Sequence, residues 1–298
     1  MTGSTLEPSQ IDKSAAPVRG RRLPFILQRL YKNPTAAFGT TVFLLFLLVA
    51  LIGPSIAPYG ANEQIPSEAR QPPSAAHLFG TDHLGRDVFS RVLLGAREIL
   101  VLAGLGTLSA VLAGTVIGLL SAYQGGWLDE GIMRFFDGLL ALPALLFALL
   151  LLGILGPSIW SVLVVIFIVY TPIVARVVRS VVLSVKSKGY IEAARLRGES
   201  RRWILFKEIQ PSVQPVLAVE TALRFSYAIF LVASLGFLGV GVQPPSPNWG
   251  LMVKEARETV SQIPWALYLP AAAISILVIV VNLMADGLKK ALLEPVDE

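Results

Sequence analysis

Apolar residues fall in six long blocks along this chain, and its polar residues collect between them. The blocks are Phe38–Ala57, Ile99–Ala122, Leu139–Gly156, Ile159–Ala175, Pro215–Val240 and Ala266–Ala285. A helix rising about 1.5 Å per residue needs about 20 apolar residues to cross a hydrocarbon core about 30 Å thick, and each block is near that length. The pattern predicts an all-α membrane protein with six transmembrane helices. Its expected organisation is a polar tail over 1–35, a first helix over 36–57, an outer loop over 58–98, a five-helix core over 99–285 and a tail over 286–298.

Several local signals refine this plan. Gly106, Ala110, Gly114, Gly118 and Ala122 recur every four residues in the second block, a ridge of small side chains that lets helix backbones approach closely. Pro143 and Pro172 fall inside the third and fourth blocks, where kinks are expected. In the outer loop, "HLFGTDHLGRDVFSRVLLGAREIL" reads as an interfacial helix capped by Thr81 or Asp82, with Leu84, Val88 and Val92 on one face and Arg86 and Asp87 on the other. Between the fifth and sixth blocks prolines prevent regular structure, and Val253–Ile263 then reads as a short surface helix. The stretch "LPFILQRLYKNP" before the first block suits a membrane surface. No apolar run comes early enough for a cleaved signal, so the first block is expected to stay as an anchor.

Charge then orients the plan. Only 15% of the 298 residues are charged, against roughly 25% in an ordinary soluble domain. With the N-terminus inside, eighteen lysines and arginines lie on the inner side and six on the outer, with Arg224 inside the fifth block. This bias predicts cytoplasmic N- and C-termini, and it makes the net charge of +5 a topology signal with no nucleic-acid partner implied. The absence of cysteine excludes disulfides and thiolate zinc sites. His77 and His83 are isolated in the outer loop and read as turn residues, so no metal site is expected. Within the blocks the ionisable pair that stands out is Glu220 with Arg224, four residues apart, either a structural ion pair or part of a polar path lining.

The inner segment between the fourth and fifth blocks, 186–211, holds the most polar run of the second half, "YIEAARLRGESRRWILFKEIQP". Helix formers, a break at Gly198 and a second helical run from about Arg201 that stops at Pro211 suggest two short helices with an elbow. Ala193 and Ala194 keep the backbone low on the first, and Trp203, Phe206 and Ile209 or Gln210 line one side of the second. The alternative is a solvated loop whose cations merely set topology.

Glu192, Ala193, Ala194, Gly198, Ile209 and Pro211 resemble the EAA loop of permease subunits of ATP-binding-cassette importers, with Gln210 where many members have leucine. "HLFGTDHLGRDVFSRVLLGAR", "YQGGWLDEGIMRFFD" and "GFLGVGVQPPSPNWGLM" extend the resemblance from about Asn33 to Lys290, to the second permease subunit of the dipeptide, oligopeptide and nickel branch. The resemblance implies a type I importer permease fold in a prokaryotic inner membrane. Its implied partners are a second homologous permease, two ATPase subunits that bind ATP and Mg²⁺, and an extracytoplasmic solute-binding protein. No phosphate-cradling G-x-x-x-x-G-K-[ST] occurs, so no cofactor and no ATPase activity are expected on this chain. Two other classes are an ion-coupled secondary transporter, which would need intramembrane carboxylates, and an intramembrane hydrolase, which would need a nucleophile facing a cavity.

Overall fold

The computed structural model describes Gln28 and residues 30–293, so the expected tails over 1–27 and 294–298, with Arg29, lie outside it. α1 (Pro34–Ile56) starts at Asn33, whose side chain accepts from the amides of Thr35 and Ala36 ahead of a first-turn proline. α2 (Val88–Gln124) begins well before the second apolar block. The third block is not one helix. α3 (Gly126–Leu140) and α4 (Ala144–Leu155) meet at a bend of 92°, and Pro143 stands at the entry to α4 instead of inside a span. Twelve residues give α4 a length of only about 18 Å. The described residues thus hold five helices long and apolar enough to cross a membrane, or six if the bent pair counts as one.

α5 (Ile159–Lys186) contains Pro172, and α6 (Gly189–Leu196) follows it. The helical run from Arg201 does not stop at Pro211. It passes through a π-helical turn, Ile204–Ile209, where the Gln210 amide reaches the Leu205 carbonyl, and continues as α7 (Gln210–Leu238). Pro211 sits at the junction, in the first turn of α7, and the wider π turn before it accommodates a residue that donates no amide bond. α8 (Trp249–Ala256) starts earlier than expected because Asn248 caps it, accepting from the amides of Gly250 and Leu251. α9 (Pro264–Leu293) runs on through most of the stretch expected to be a tail.

α2 and α5 form the centre of the bundle. A Cβ at Gly106 would stand 2.7 Å from Ile166 Cγ2, at Gly114 2.7 Å from Val174 Cβ, and at Gly118 2.5 Å from the Ala175 carbonyl oxygen. Ala110 between them is fully buried. The ridge of small residues therefore lies flat against α5, with the backbones in contact. α7 and α9 complete the bundle, α1 lies on α2 and α9, and α8 is wedged among α2, α7 and α9 with Trp249 buried and its Nε1 donating to the Val92 carbonyl at 2.9 Å. Large apolar side chains point outward instead: Leu44, Leu48 and Leu51 on α1, and Val101, Leu105, Leu108, Leu112, Val116 and Leu120 down one stripe of α2. Such stripes need lipid or another protein as their solvent.

The loops gather at two opposite ends. Segment 57–87 and α8 form the loop end, and segment 186–211 forms the elbow end. The interfacial helix expected to start at Thr81 or Asp82 starts only at Val88, and a turn replaces its beginning. Asp82 Oδ1 accepts from the amides of Leu84 and Arg86 at 2.8 and 3.0 Å, Gly85 takes φ +75°, and Asp87 caps α2 by accepting from the Ser90 amide at 2.7 Å. An aspartate that binds its own downstream amides stabilises a turn against a helix. Arg86 and Asp87, expected on the polar face of that helix, are consequently buried, at 2% and 3% exposed.

Candidate coupling site

The elbow is built from a helix stop and a helix start two residues apart. Gly198 ends α6 at φ +80°, its amide donating to the Arg195 carbonyl at 3.0 Å while the Glu199 amide donates to that of Ala194 at 3.2 Å. These are the two bonds of a Schellman stop, which needs a residue at ease with positive φ. Nothing lies within 4 Å of a Cβ placed on Gly198, so its glycine serves conformation and not close packing. Ser200 then caps the next turn, its hydroxyl accepting from the Trp203 amide at 3.2 Å.

One face of this elbow is buried and the other is free. Ile191, Ala194, Ile204, Leu205 and Ile209 join Val111, Leu119, Val178 and Val182 in an apolar cluster at the ends of α2 and α5. Glu192, Ala193, Gly198 and Pro211 are exposed, Phe206 is 62% exposed and Trp203 is half-buried. Among the residues singled out from sequence, Ala194 and Ile209 thus root the elbow, while Glu192, Ala193, Phe206 and Pro211 lie on its open side. Lys186 completes the root by donating to the Ala122 and Tyr123 carbonyls at 3.1 and 2.6 Å, a cation on the unpaired carbonyls that end α2.

Two arginines of α5 also tie down α3. Arg179 grips Asp129 through Nε and Nη2, at 2.7 Å for the shortest contact, and Arg176 pairs with Asp137. The cap role of Ser200 was not read from sequence, although a serine just after a glycine break is a local signal for it. Lys186, Asp129 and Arg179 had no local sequence signal, since their partners lie 50 or more residues away.

At the loop end, Arg86 joins Asp82 at 2.5 Å and Glu255 of α8 at 2.6 Å, while Arg91 donates to the Ala61 and Ser246 carbonyls. His77 is a turn residue whose amide donates to Ser74 Oγ, but its ring is buried between Asp87 and Glu68, each 2.9 Å from one ring nitrogen. Carboxylates only accept, so both contacts are satisfied only by the doubly protonated imidazolium. Burial opposes that charge, and the hydrogen bonds to Glu68 and Asp87 outweigh it, holding the imidazole above its ordinary range.

Glu220 and Arg224 of α7 stand 2.7 Å apart as an ion pair without hydrogen-bond direction, leaving Glu220 Oε1 and Arg224 Nε without a hydrogen-bond partner. The guanidinium lies over the rings of Tyr227 at 4.9 Å and Tyr170 at 5.8 Å, which compensate part of its burial. Among the described residues no group of three histidine, aspartate or glutamate side chains is placed to hold a metal ion.

The architecture is that of a multi-pass helical membrane protein, and comparison with known proteins gives its class. Residues 114–294 match the family of binding-protein-dependent transport system inner membrane components, and residues 26–73 match the N-terminal transmembrane domain of oligopeptide transport permease C. A dipeptide transport system permease of Alkalihalophilus pseudofirmus is 39% identical over 265 residues, covering 89% of this chain and 87% of the relative. A glutathione transport system permease of Pectobacterium atrosepticum is 37% identical, covering 89% of this chain and 88% of the relative. A probable D,D-dipeptide transport system permease of Escherichia coli is also 37% identical, covering 88% of each. The chain belongs to the dipeptide and oligopeptide ABC transport permeases, as a C-type subunit with the type I permease fold.

Proposed function

We propose that this chain couples ATP hydrolysis on separate ATPase subunits to the import of short peptides or a similar small solute. Two ATPase subunits hold ATP and Mg²⁺, a second homologous permease completes the pathway, and a solute-binding protein delivers cargo at the loop end. The elbow end, with both termini, faces the cytoplasm of a prokaryotic cell. The observation that supports this reading most is the construction of the elbow, capped on both sides, rooted in the ends of α2 and α5 and open on its other face. A body packed in this way passes displacement on to the helices instead of absorbing it. The eighteen-to-six bias in lysine and arginine supports the orientation. The relatives named for dipeptide, D,D-dipeptide and glutathione transport all handle small amide-containing solutes, which supports the substrate class.

A tagged full-length chain purified from native membranes in mild detergent should carry a second permease and ATPase subunits with it. Vesicles containing that complex should accumulate a labelled dipeptide only with ATP at the elbow face and the loaded binding protein at the other. Accumulation driven by a proton or Na⁺ gradient with no ATPase present would overturn the proposal in favour of a secondary transporter.

A further inference from the structure

The elbow does not close fully on α2. Between the end of α2, Lys186 and the inner side of the elbow lies an open cleft of about 810 Å³. Its lining carries Lys186, Arg195, Arg201 and Arg202 against a single carboxylate, Glu199. Lys186 is committed to the α2 carbonyls, and Arg195 lies over the Tyr123 ring at 5.8 Å. Among the described residues neither Arg201 nor Arg202 has a carboxylate within ion-pair distance. The remaining wall is formed by Leu120, Tyr123, Gln124, Ile204 and Leu205, apolar apart from the Gln124 amide and the Tyr123 hydroxyl. Leu120 is also the last member of the outward apolar stripe of α2, so an exposed apolar track runs down the helix and ends in the basic cleft.

We propose that this cleft binds the headgroup of an anionic phospholipid of the cytoplasmic leaflet, its phosphate on Arg201 and Arg202 and its acyl chains along the α2 stripe. A basic pocket between helix ends at the inner membrane surface has the chemistry for such a headgroup. The apolar track selects a lipid over a free anion. Because the cleft's inner wall is the elbow, a bound lipid would brace the elbow against α2. The inference rests on the proposed orientation, which puts the cleft at the cytoplasmic leaflet.

The full chain with its co-purifying subunits is placed in nanodiscs of phosphatidylcholine with phosphatidylglycerol titrated in, and lipid retained by the protein is counted by native mass spectrometry. Phosphatidylglycerol should be retained over phosphatidylcholine. Arg201→Gln with Arg202→Gln should weaken retention about 25-fold, at about fivefold per arginine. Arg201→Lys with Arg202→Lys should keep most of it. Both positions are exposed, so matched melting temperatures will show that the variants fold alike. Inorganic phosphate should not displace the lipid, and displacement would make this a small-anion site and overturn the proposal. Undiminished retention by the glutamine variant would overturn it. So would loss of the ATPase subunits with the lipid still bound, which would assign the two arginines to ATPase docking. Orientation is read separately, by labelling a cysteine at Ser200 from outside intact cells. Labelling there would refute the orientation without altering the lipid count.

Discussion

Replacing Gly198 separates backbone conformation from surface contact in the proposed coupling. At φ +80° an L-residue is disfavoured by about 1–2 kcal/mol, and a β-branched one by more. The open space around a Cβ at this position means that no clash adds to that figure. The chain can escape the strain by returning φ to negative values, but it then gives up the Gly198 and Glu199 amide bonds that stop α6, each worth about 0.5–1.5 kcal/mol. Losing both bonds costs about 1–3 kcal/mol, so the strain of about 1–2 kcal/mol is comparable and depletes the native elbow about 5- to 30-fold relative to glycine. Asparagine tolerates positive φ better than other non-glycine residues, so the expected order of ATPase retention is Gly, then Asn, then Ala, then Val. The assay is co-purification of ATPase subunits with the tagged chain, alongside the amount inserted in the membrane, which should not change. Equal loss in the asparagine and valine variants would show that the bare surface of glycine matters and not its backbone. Normal uptake with Gly198→Val would remove the elbow conformation from the mechanism.

Three other outcomes follow from the same geometry. The raised pKa of His77 stabilises the outer loop fully below about pH 6.5, the imidazole's ordinary value, and this contribution fades as pH rises through the raised value in the folded loop. Hydrogen-exchange protection over 66–87 should therefore fall with rising pH in the native chain but not in His77→Gln, and protection that rises with pH would contradict the imidazolium assignment. In the cysteine-free chain, a cysteine at Ser67 should react with an impermeant thiol reagent on intact cells while one at Ser200 stays protected, and the reverse pattern would invert the topology. Glu220→Gln strands a buried guanidinium and should lower melting temperature and expression, whereas Glu220→Gln with Arg224→Met should restore both. If that double variant folds and holds its ATPase yet transports poorly, the pair belongs to the path; if transport recovers, it is structural.

How far the chain could be read from sequence depended on the range of the interaction involved. Apolar blocks specify spans because each is a local property, and five of the six lie almost wholly within long helices, though most of those helices run well past the block. A kink was expected at Pro143, but not a 92° break into two helices, because Leu139–Gly156 stays apolar through the bend and hydropathy carries no mark of its angle. The outer turn was misread because Leu84, Val88 and Val92 keep a helical spacing, while Asp82 had already taken the amides a helix would need. At the elbow, Gly198 announces its role through local chemistry, and Ser200 carries a local cap signal that sequence reasoning missed. What Lys186 and Arg179 do rests on helix ends brought together by the bundle, and no window along the sequence contains both partners.

The long second helix links these two kinds of information. α2 is 37 residues, about 55 Å, which exceeds the thickness of a hydrocarbon core by nearly a factor of two. Its end at the elbow shares an apolar cluster with Ile191, Ile204 and Ile209 and has its final carbonyls held by Lys186. Its start at the loop end is capped by Asp87, the same carboxylate that holds His77, and Arg91 of its first turn reaches Ala61 and Ser246. Between the ends, the glycine ridge sets its backbone directly on α5, where few side chains are available to rearrange and take up a displacement. On the proposed coupling, a push at the elbow therefore moves α2 and α5 together and is felt at the far surface by the loop that meets the solute-binding protein. α3 and α4 are joined at a 92° bend, and α3 is tied to α5 through two ion pairs and the packing of Met133 and Phe136 on Ala175 instead of a ridge of glycines. The stiff element and the bent one thus lie side by side on α5, so any change in the opening between the two faces is expected at the α3–α4 bend before it is expected along the ridge.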